Sequence, residues 1–263
     1  MQLTPSQLAQ FNNDGFIILH SFVDTEYCDA ILNVAKEHLE ELIEPIETEL
    51  GYGSRSKLYR TNVIDYNSKT EEKHVVVRRL RQVYDRDSLF KAWMEEKKIR
   101  PLLEQILNDK VVLTTAHHNS IMTKMPYISS DTGWHQDRRY WSYSNDNLVS
   151  VWLALDDETD ENGVLEFIPG SHKMDFKVEQ FDEKEYFSNT YEPNKKTIAT
   201  KVSKNLTKGD VVIFHSLLLH RANKNSTDKA KMSFVYTVKG EETKANKGTR
   251  SAEFPEISLE VIK

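Results

Sequence analysis

The sequence predicts a mainly β domain with α-helical cover. Past residue 110 the chain runs through five β-rich stretches, VVLTTAHHNSIMTKM, LVSVWLALDD, VLEFIPGSH, GDVVIFHSLLLHR and KMSFVYTVKG. Turn formers such as DENG and TKGD separate them. Helix-periodic segments gather ahead of these strands, and strands after helices point to an α+β or mainly β architecture. With 263 residues, 38% of them hydrophobic, the chain can fill one large core without a second domain. We expect a single domain over 1–263: a mainly helical part with edge strands (1–110), a β core (111–240) and a tail or lid (241–263).

In the first part, Thr4 is placed to cap a short helix, Pro5 to start it and Gly15 to stop it. FIILHSF (16–22) follows as a strand. Residues 24–42 form an amphipathic helix, with Cys28, Ile31, Leu32, Ala35 and Leu39 at helical spacing and Asp24 as cap. The polar stretch 43–74, with Gly51 and Gly53, is expected to be loop. Residues 88–108 are helical, with Pro101 dividing two helices.

Composition excludes several function classes. The net charge of −6 argues against a generic nucleic-acid binder. Cys28 is the only cysteine, so neither an intramolecular disulfide nor a cysteine-rich zinc site is available. No apolar run is long enough to span a membrane, and the N-terminal residues do not resemble a secretory signal. A cytoplasmic setting and a small-molecule substrate are expected.

The chemistry concentrates in GWHQDRRYW (133–141). On a strand, His135 and Asp137 at i and i+2 point to one face. An imidazole and a carboxylate so placed can hold adjacent positions on a divalent ion. Two histidines and one carboxylate, with three positions left open, is the ligand set of non-haem Fe(II) oxygenases. The third ligand must come from elsewhere. GDVVIFHSLLLHRANKNS offers His215 and His220, which face opposite ways on a regular strand. His220, ending an apolar strand, is the favoured ligand; His215 and His172 read as structural. Of His117 and His118, adjacent on a strand, at most one faces the cavity, as a pocket residue. An isolated His-x-Asp also fits an ordinary surface loop, so these downstream residues carry the weight.

Taken in order, DGFIIL, GWHQDRRYW, VWLALDDETDENGVLEFIPGSHK, GDVVIFHSLLLHRANKNST and KMSFVYTV resemble the phytanoyl-CoA dioxygenase family of Fe(II)- and 2-oxoglutarate-dependent oxygenases. The resemblance implies a double-stranded β-helix, a cupin-like jelly roll, with His135, Asp137 and His220 as catalytic iron ligands. It implies Fe(II), 2-oxoglutarate and O2 as cofactors and hydroxylation of a C–H bond. A carboxylate at Asp137 favours hydroxylation over halogenation. Gln136, between two ligands, would contact the cosubstrate or a ligand. The family anchors the distal carboxylate of 2-oxoglutarate with an arginine eleven residues after the second histidine; that position here is Lys231. A lysine neutralises a carboxylate as a point charge without arginine's bidentate fork. Thr227, Ser226 and Arg221 are possible helpers. Trp152 would lie against the cosubstrate, or else be a core tryptophan. Arg79 aligns with a further basic residue of the site, and Arg81 shares its face if the segment is extended; the alternative is a solvated edge strand. Trp134 is expected to pack behind the ligands. Arg138, Arg139, Tyr140 and Trp141 are expected at the mouth, a cationic and aromatic rim suited to an anionic substrate, unless the arginines are ordinary surface charge. The rival readings are a jelly-roll metal-binding protein and a cupin-like metalloenzyme that is not an oxygenase.

Overall fold

The structure, a computed structural model, describes residues 1–49 and 75–259. Most of the stretch expected as loop, residues 50–74, lies outside the described residues.

Helix α1 (Pro5–Asp14) is bounded as its sequence dictates. Thr4 Oγ1 accepts from the Gln7 amide while Gln7 Oε1 accepts from the Thr4 amide, and Gly15 closes the helix at φ 86°. Such a capping box satisfies two backbone donors the helix cannot. Strand β1 (Phe16–Leu19) is shorter than expected. The chain turns at Ser21, whose φ is 48° and whose amide donates to Asp210. Helix α2 (Thr25–Glu40) buries Cys28, Ile31, Leu32 and Ala35. Helices α3 (Ser88–Met94) and α4 (Arg100–Leu107) divide before Pro101, which occupies the first turn of α4, where a missing N–H costs nothing.

The remaining strands are β2 (Ile46–Thr48), β3 (Val77–Arg81), β4 (Val111–Lys124), β5 (Thr132–His135), β6 (Leu148–Ala154), β7 (Leu165–Phe167), β8 (Val202–Ser203), β9 (Val211–His215), β10 (His220–Ala222), β11 (Lys231–Gly240) and β12 (Glu256–Ser258). Among the described residues a further helix, α5 (Glu192–Ile198), precedes β8. The large sheet runs β1-β9-β6-β11-β4-β3-β2, with β12 also on β4, and the small sheet runs β5-β10-β7-β8. All described pairings are antiparallel, and the two sheets form a jelly roll with helices outside.

Two corrections concern the ends of the sheet. Residues 46–48, expected in a loop, pair with β3 as an edge strand. The expected tail is held down: β12 pairs with Val112, Leu113 and Thr114 of β4. Alternation along the strands creates two apolar layers. Val149, Val151 and Leu153 of β6, with Phe234, Tyr236 and Val238 of β11, face the helices. Trp152 and Val235, on the other faces of those strands, meet Phe167, Phe214 and Leu218 between the sheets. Both faces of β6 and β11 are therefore buried, which explains why they read as continuous apolar runs rather than as alternation.

Candidate metal centre

The site forms at the inner face of the small sheet. His135 on β5 and His220 on β10 are directly opposed Cα partners, so their side chains rise from one face as neighbours. Their ring centroids are 4.2 Å apart. Strand β5 ends at His135, and Asp137 begins a short 3-10 turn (Asp137–Tyr140). Gln136 keeps an extended backbone, φ −106° and ψ 134°, so the i, i+2 relation survives one residue beyond the strand. Asp137 Oδ1 lies 3.7 Å from His135 Nε2 and 3.5 Å from His220 Nε2. One donor atom from each of the three falls within 4.8 Å of the others.

Backbone carbonyls set the tautomers. His135 Nδ1 lies 2.8 Å from the Gly133 oxygen, and His220 Nδ1 lies 2.9 Å from the Leu218 oxygen. A carbonyl only accepts, so in each neutral ring Nδ1 carries the hydrogen and Nε2 turns a lone pair inward. Ser150 Oγ donates to Asp137 Oδ2 at 2.7 Å, leaving Oδ1 toward the histidines. Burial, with His220 and Arg139 adding to it, holds His135 well below its ordinary pKa. Burial opposes ionisation of Asp137, but His118, His220 and His135 outweigh it and keep its pKa below the carboxylate range. Two lone pairs and a carboxylate thus converge where a divalent cation satisfies all three, and this donor set fits iron. Phe214 stacks obliquely on His220 at 4.9 Å, giving the site a dry floor, while His135 keeps 12% of its side chain exposed and marks the open side.

The phytanoyl-CoA dioxygenase (PhyH) family profile matches residues 11–233. The chain belongs to that family. Among its relatives, phytanoyl-CoA dioxygenase domain-containing protein 1 of Bos taurus is 23% identical, covering 89% of this chain and 89% of its own. A probable alpha-ketoglutarate-dependent hypophosphite dioxygenase of Stutzerimonas stutzeri is 25% identical over 64% of this chain and 53% of its own. The epimerase SnoN, solved with Fe3+, alpha-ketoglutarate and nogalamycin RO, shares the fold: TM-score 0.72 at 19% identity, over 92% of this chain and 85% of its own. Family membership makes the chain a non-haem Fe(II)- and 2-oxoglutarate-dependent oxygenase by class.

Within this phytanoyl-CoA dioxygenase fold the other expected residues divide. Gln136 turns aside, its Nε2 donating to the Leu217 carbonyl at 2.6 Å, where it braces the approach to β10. Trp134 packs with Ile168, Phe187 and Leu219 behind the ligands. Trp152 lies between the sheets and donates from Nε1 to Glu158 at 2.9 Å. Lys231 is buried, but its Nζ donates to Glu158 Oε2 at 2.9 Å and to the Gly163 carbonyl at 2.8 Å. The cation expected for the cosubstrate is therefore present and already paired.

Arg79 and Arg81 share a side of β3, opposite Met122 and Ser120, and Arg79 Nη2 pairs with Glu47 at 2.6 Å. Arg138 bonds Asp146 and the Tyr143 carbonyl, so its charge is neutralised in the wall rather than offered at the mouth. Arg139 lies 4.3 Å over the Tyr186 ring. The side chain of Tyr140 lies outside the described residues. Arg221 pairs with Glu166, Thr227 with Asn225, and Ser226 with the Glu161 carbonyl, so these three brace other parts of the fold.

Two residues, Ser150 and Glu158, escaped sequence reasoning. Ser150 was visible only as a polar residue on the inward face of an apolar strand. Of the adjacent histidines one faces the cavity, as expected: His118 Nε2 lies 3.4 Å from Asp137 Oδ1, a third imidazole at the same carboxylate, while His117 turns to Ser251 at 2.8 Å. Glu158, fully buried, had no signal at all inside the acidic run DDETDE.

Proposed function

We propose that the chain hydroxylates a C–H bond of a small anionic substrate, with His135 Nε2, Asp137 Oδ1 and His220 Nε2 as the iron ligands. The observation that carries this reading is the convergence of those three atoms, with both Nδ1 groups committed to backbone carbonyls. Iron held there, with 2-oxoglutarate and O2, supplies the oxidising chemistry. The chain's own residues do the rest. Ser150 fixes the Asp137 carboxylate, and Phe167 and Phe214 keep water from the floor.

The preference for an anion rests on Arg139, since Arg79 is already paired with Glu47. Arg139 lies over the Tyr186 ring, and that ring meets His135 edge-on at 6.1 Å, so the guanidinium stands beside the site. A substrate bearing carboxylate or phosphate gains from that field. The named relatives differ in reaction and substrate; hydroxylation follows here from the carboxylate at Asp137, and the anionic substrate from Arg139. A cytoplasmic setting belongs to the same reading; among the described residues no helix is long and apolar enough to cross a membrane.

The test is succinate formation by anaerobically iron-loaded protein given 2-oxoglutarate and O2, with Asp137→Ala as control. Wild type forms succinate and the variant does not. Equal succinate from both would refute the ligand assignment, and turnover of substrate without 2-oxoglutarate would favour a different metalloenzyme.

A further inference from the structure

One ion pair inside the sheet sandwich has no part in holding the metal. Odd-numbered residues of β11 face inward: Val235 joins the inter-sheet core, while Phe234 and Tyr236 face the helices. By the two-residue period Lys231 and Ser233 share the inner face. Both reach Glu158. Ser233 Oγ donates to Glu158 Oε1 at 2.6 Å, the same oxygen that accepts from Trp152, and Lys231 Nζ donates to Oε2 at 2.9 Å. Lys231 is 3% exposed and Glu158 0%. The Lys231 ammonium also lies 5.4 Å from the Trp152 ring centroid.

We propose that Glu158 is a specificity-determining residue: as resident counter-ion of Lys231, it weakens binding of a dicarboxylate 2-oxo acid and narrows the preference over one with an uncharged tail. The proposal rests on the oxygenase reading above, together with the approach of the cosubstrate's far carboxylate to Lys231 that the family resemblance implies.

An ammonium has three N–H donors, and two are already taken, by Glu158 and by the Gly163 carbonyl. A ligand carboxylate can take the third only by standing beside Glu158. That places two buried carboxylates on one cation, and like charges at such a site disfavour joint ionisation. With the carboxylate at position 158 removed by substitution, the ligand carboxylate becomes the sole counter-ion of a buried lysine, and a buried charge without a partner is strongly disfavoured. Binding then gains what the unliganded protein lacks. Lys124, the cross-strand partner of Lys231, does not restore a full second charge. Its Nζ donates to the Ser130 carbonyl at 2.6 Å, and burial, with Arg78 and Lys231 nearby, pushes its pKa down to about 7.

The experiment is calorimetric titration of anaerobic Fe(II)-loaded protein with 2-oxoglutarate and with 2-oxopentanoate, which has the same chain without the far carboxylate. Wild type, Glu158→Ala and Glu158→Gln are compared, the glutamine variant keeping the volume should alanine unfold the protein. Both variants should bind 2-oxoglutarate at least about tenfold more tightly than wild type, the factor that ~1.4 kcal/mol of recovered charge pairing gives. Binding of 2-oxopentanoate should stay the same. Unchanged or weaker 2-oxoglutarate binding in the variants, with wild type already favouring the dicarboxylate strongly, overturns this inference alone. Failure of wild type to bind either acid overturns the oxygenase reading together with it.

Discussion

Ser150 is the residue on which the geometry of the centre most quietly depends. Its hydroxyl holds Asp137 Oδ2 at 2.7 Å, so only Oδ1 is turned to the histidines. Ser150→Ala should leave the fold intact and lower metal affinity roughly 10–100-fold, the usual effect of removing a ligand's outer partner; competition with a chelator measures it. His215 is a second case at this scale. It reads from sequence as structural, and its Nδ1 accepts from the Leu217 amide at 3.1 Å. Burial, with His172 adding to it, lowers its pKa to about 4. The unfolded chain takes up that proton near pH 6.5, so the stability tied to the neutral ring is full above that pH and lost as pH falls toward 4. Asn keeps an acceptor and cannot titrate. In metal-free protein, His215→Asn should lose less stability than wild type between pH 7 and 4.5, by at most about 1.4 kcal/mol per pH unit of the window. Denaturant midpoints at the two pH values check this; an equal loss would contradict it.

At the scale of elements, boundaries were legible where a residue has a local rule to obey. Thr4, Pro5 and Gly15 delimit α1, and Pro101 sits in the first turn of α4, because caps and rings act on their own neighbours. Elements that exist only through distant pairing were not legible. Ile46–Thr48 becomes a strand because β3 is beside it, and Glu256–Ser258 because β4 has an open flank there. His135 and Asp137 fall between these cases. The i, i+2 spacing was read correctly, but the strand it assumed ends at His135, and an extended Gln136 carries the relation onward. The turn ahead of β9 offers a test of element geometry. Gly209 has φ +90°, and a Cβ there would lie 2.2 Å from the Val23 carbonyl oxygen. Gly209→Ala should destabilise the protein by about 1–3 kcal/mol, the range for a strained backbone position. Urea denaturation measures it, and a midpoint equal to wild type would show that the turn relaxes without cost.

Across the whole molecule the proposed metal centre is assembled from two stretches that are far apart in sequence and adjacent in the small sheet. The ligand types were legible because only a few side chains bind metal, and their short-range spacing narrows the choice. What a cation meets further inside the fold was not legible. Lys231 could be placed by its distance from His220, but Glu158 reaches it across 73 residues, and no local pattern announces that contact. The same holds for Arg138, which reads as rim charge until Asp146 is seen beside it. The central claim, that His135, Asp137 and His220 hold one iron between the sheets, is tested most directly by anomalous diffraction from crystals grown anaerobically with Fe(II). A single strong peak bonded to His135 Nε2, Asp137 Oδ1 and His220 Nε2 is expected, absent in Asp137→Ala crystals. A peak on other residues, or none between those three atoms in the wild type, would contradict it.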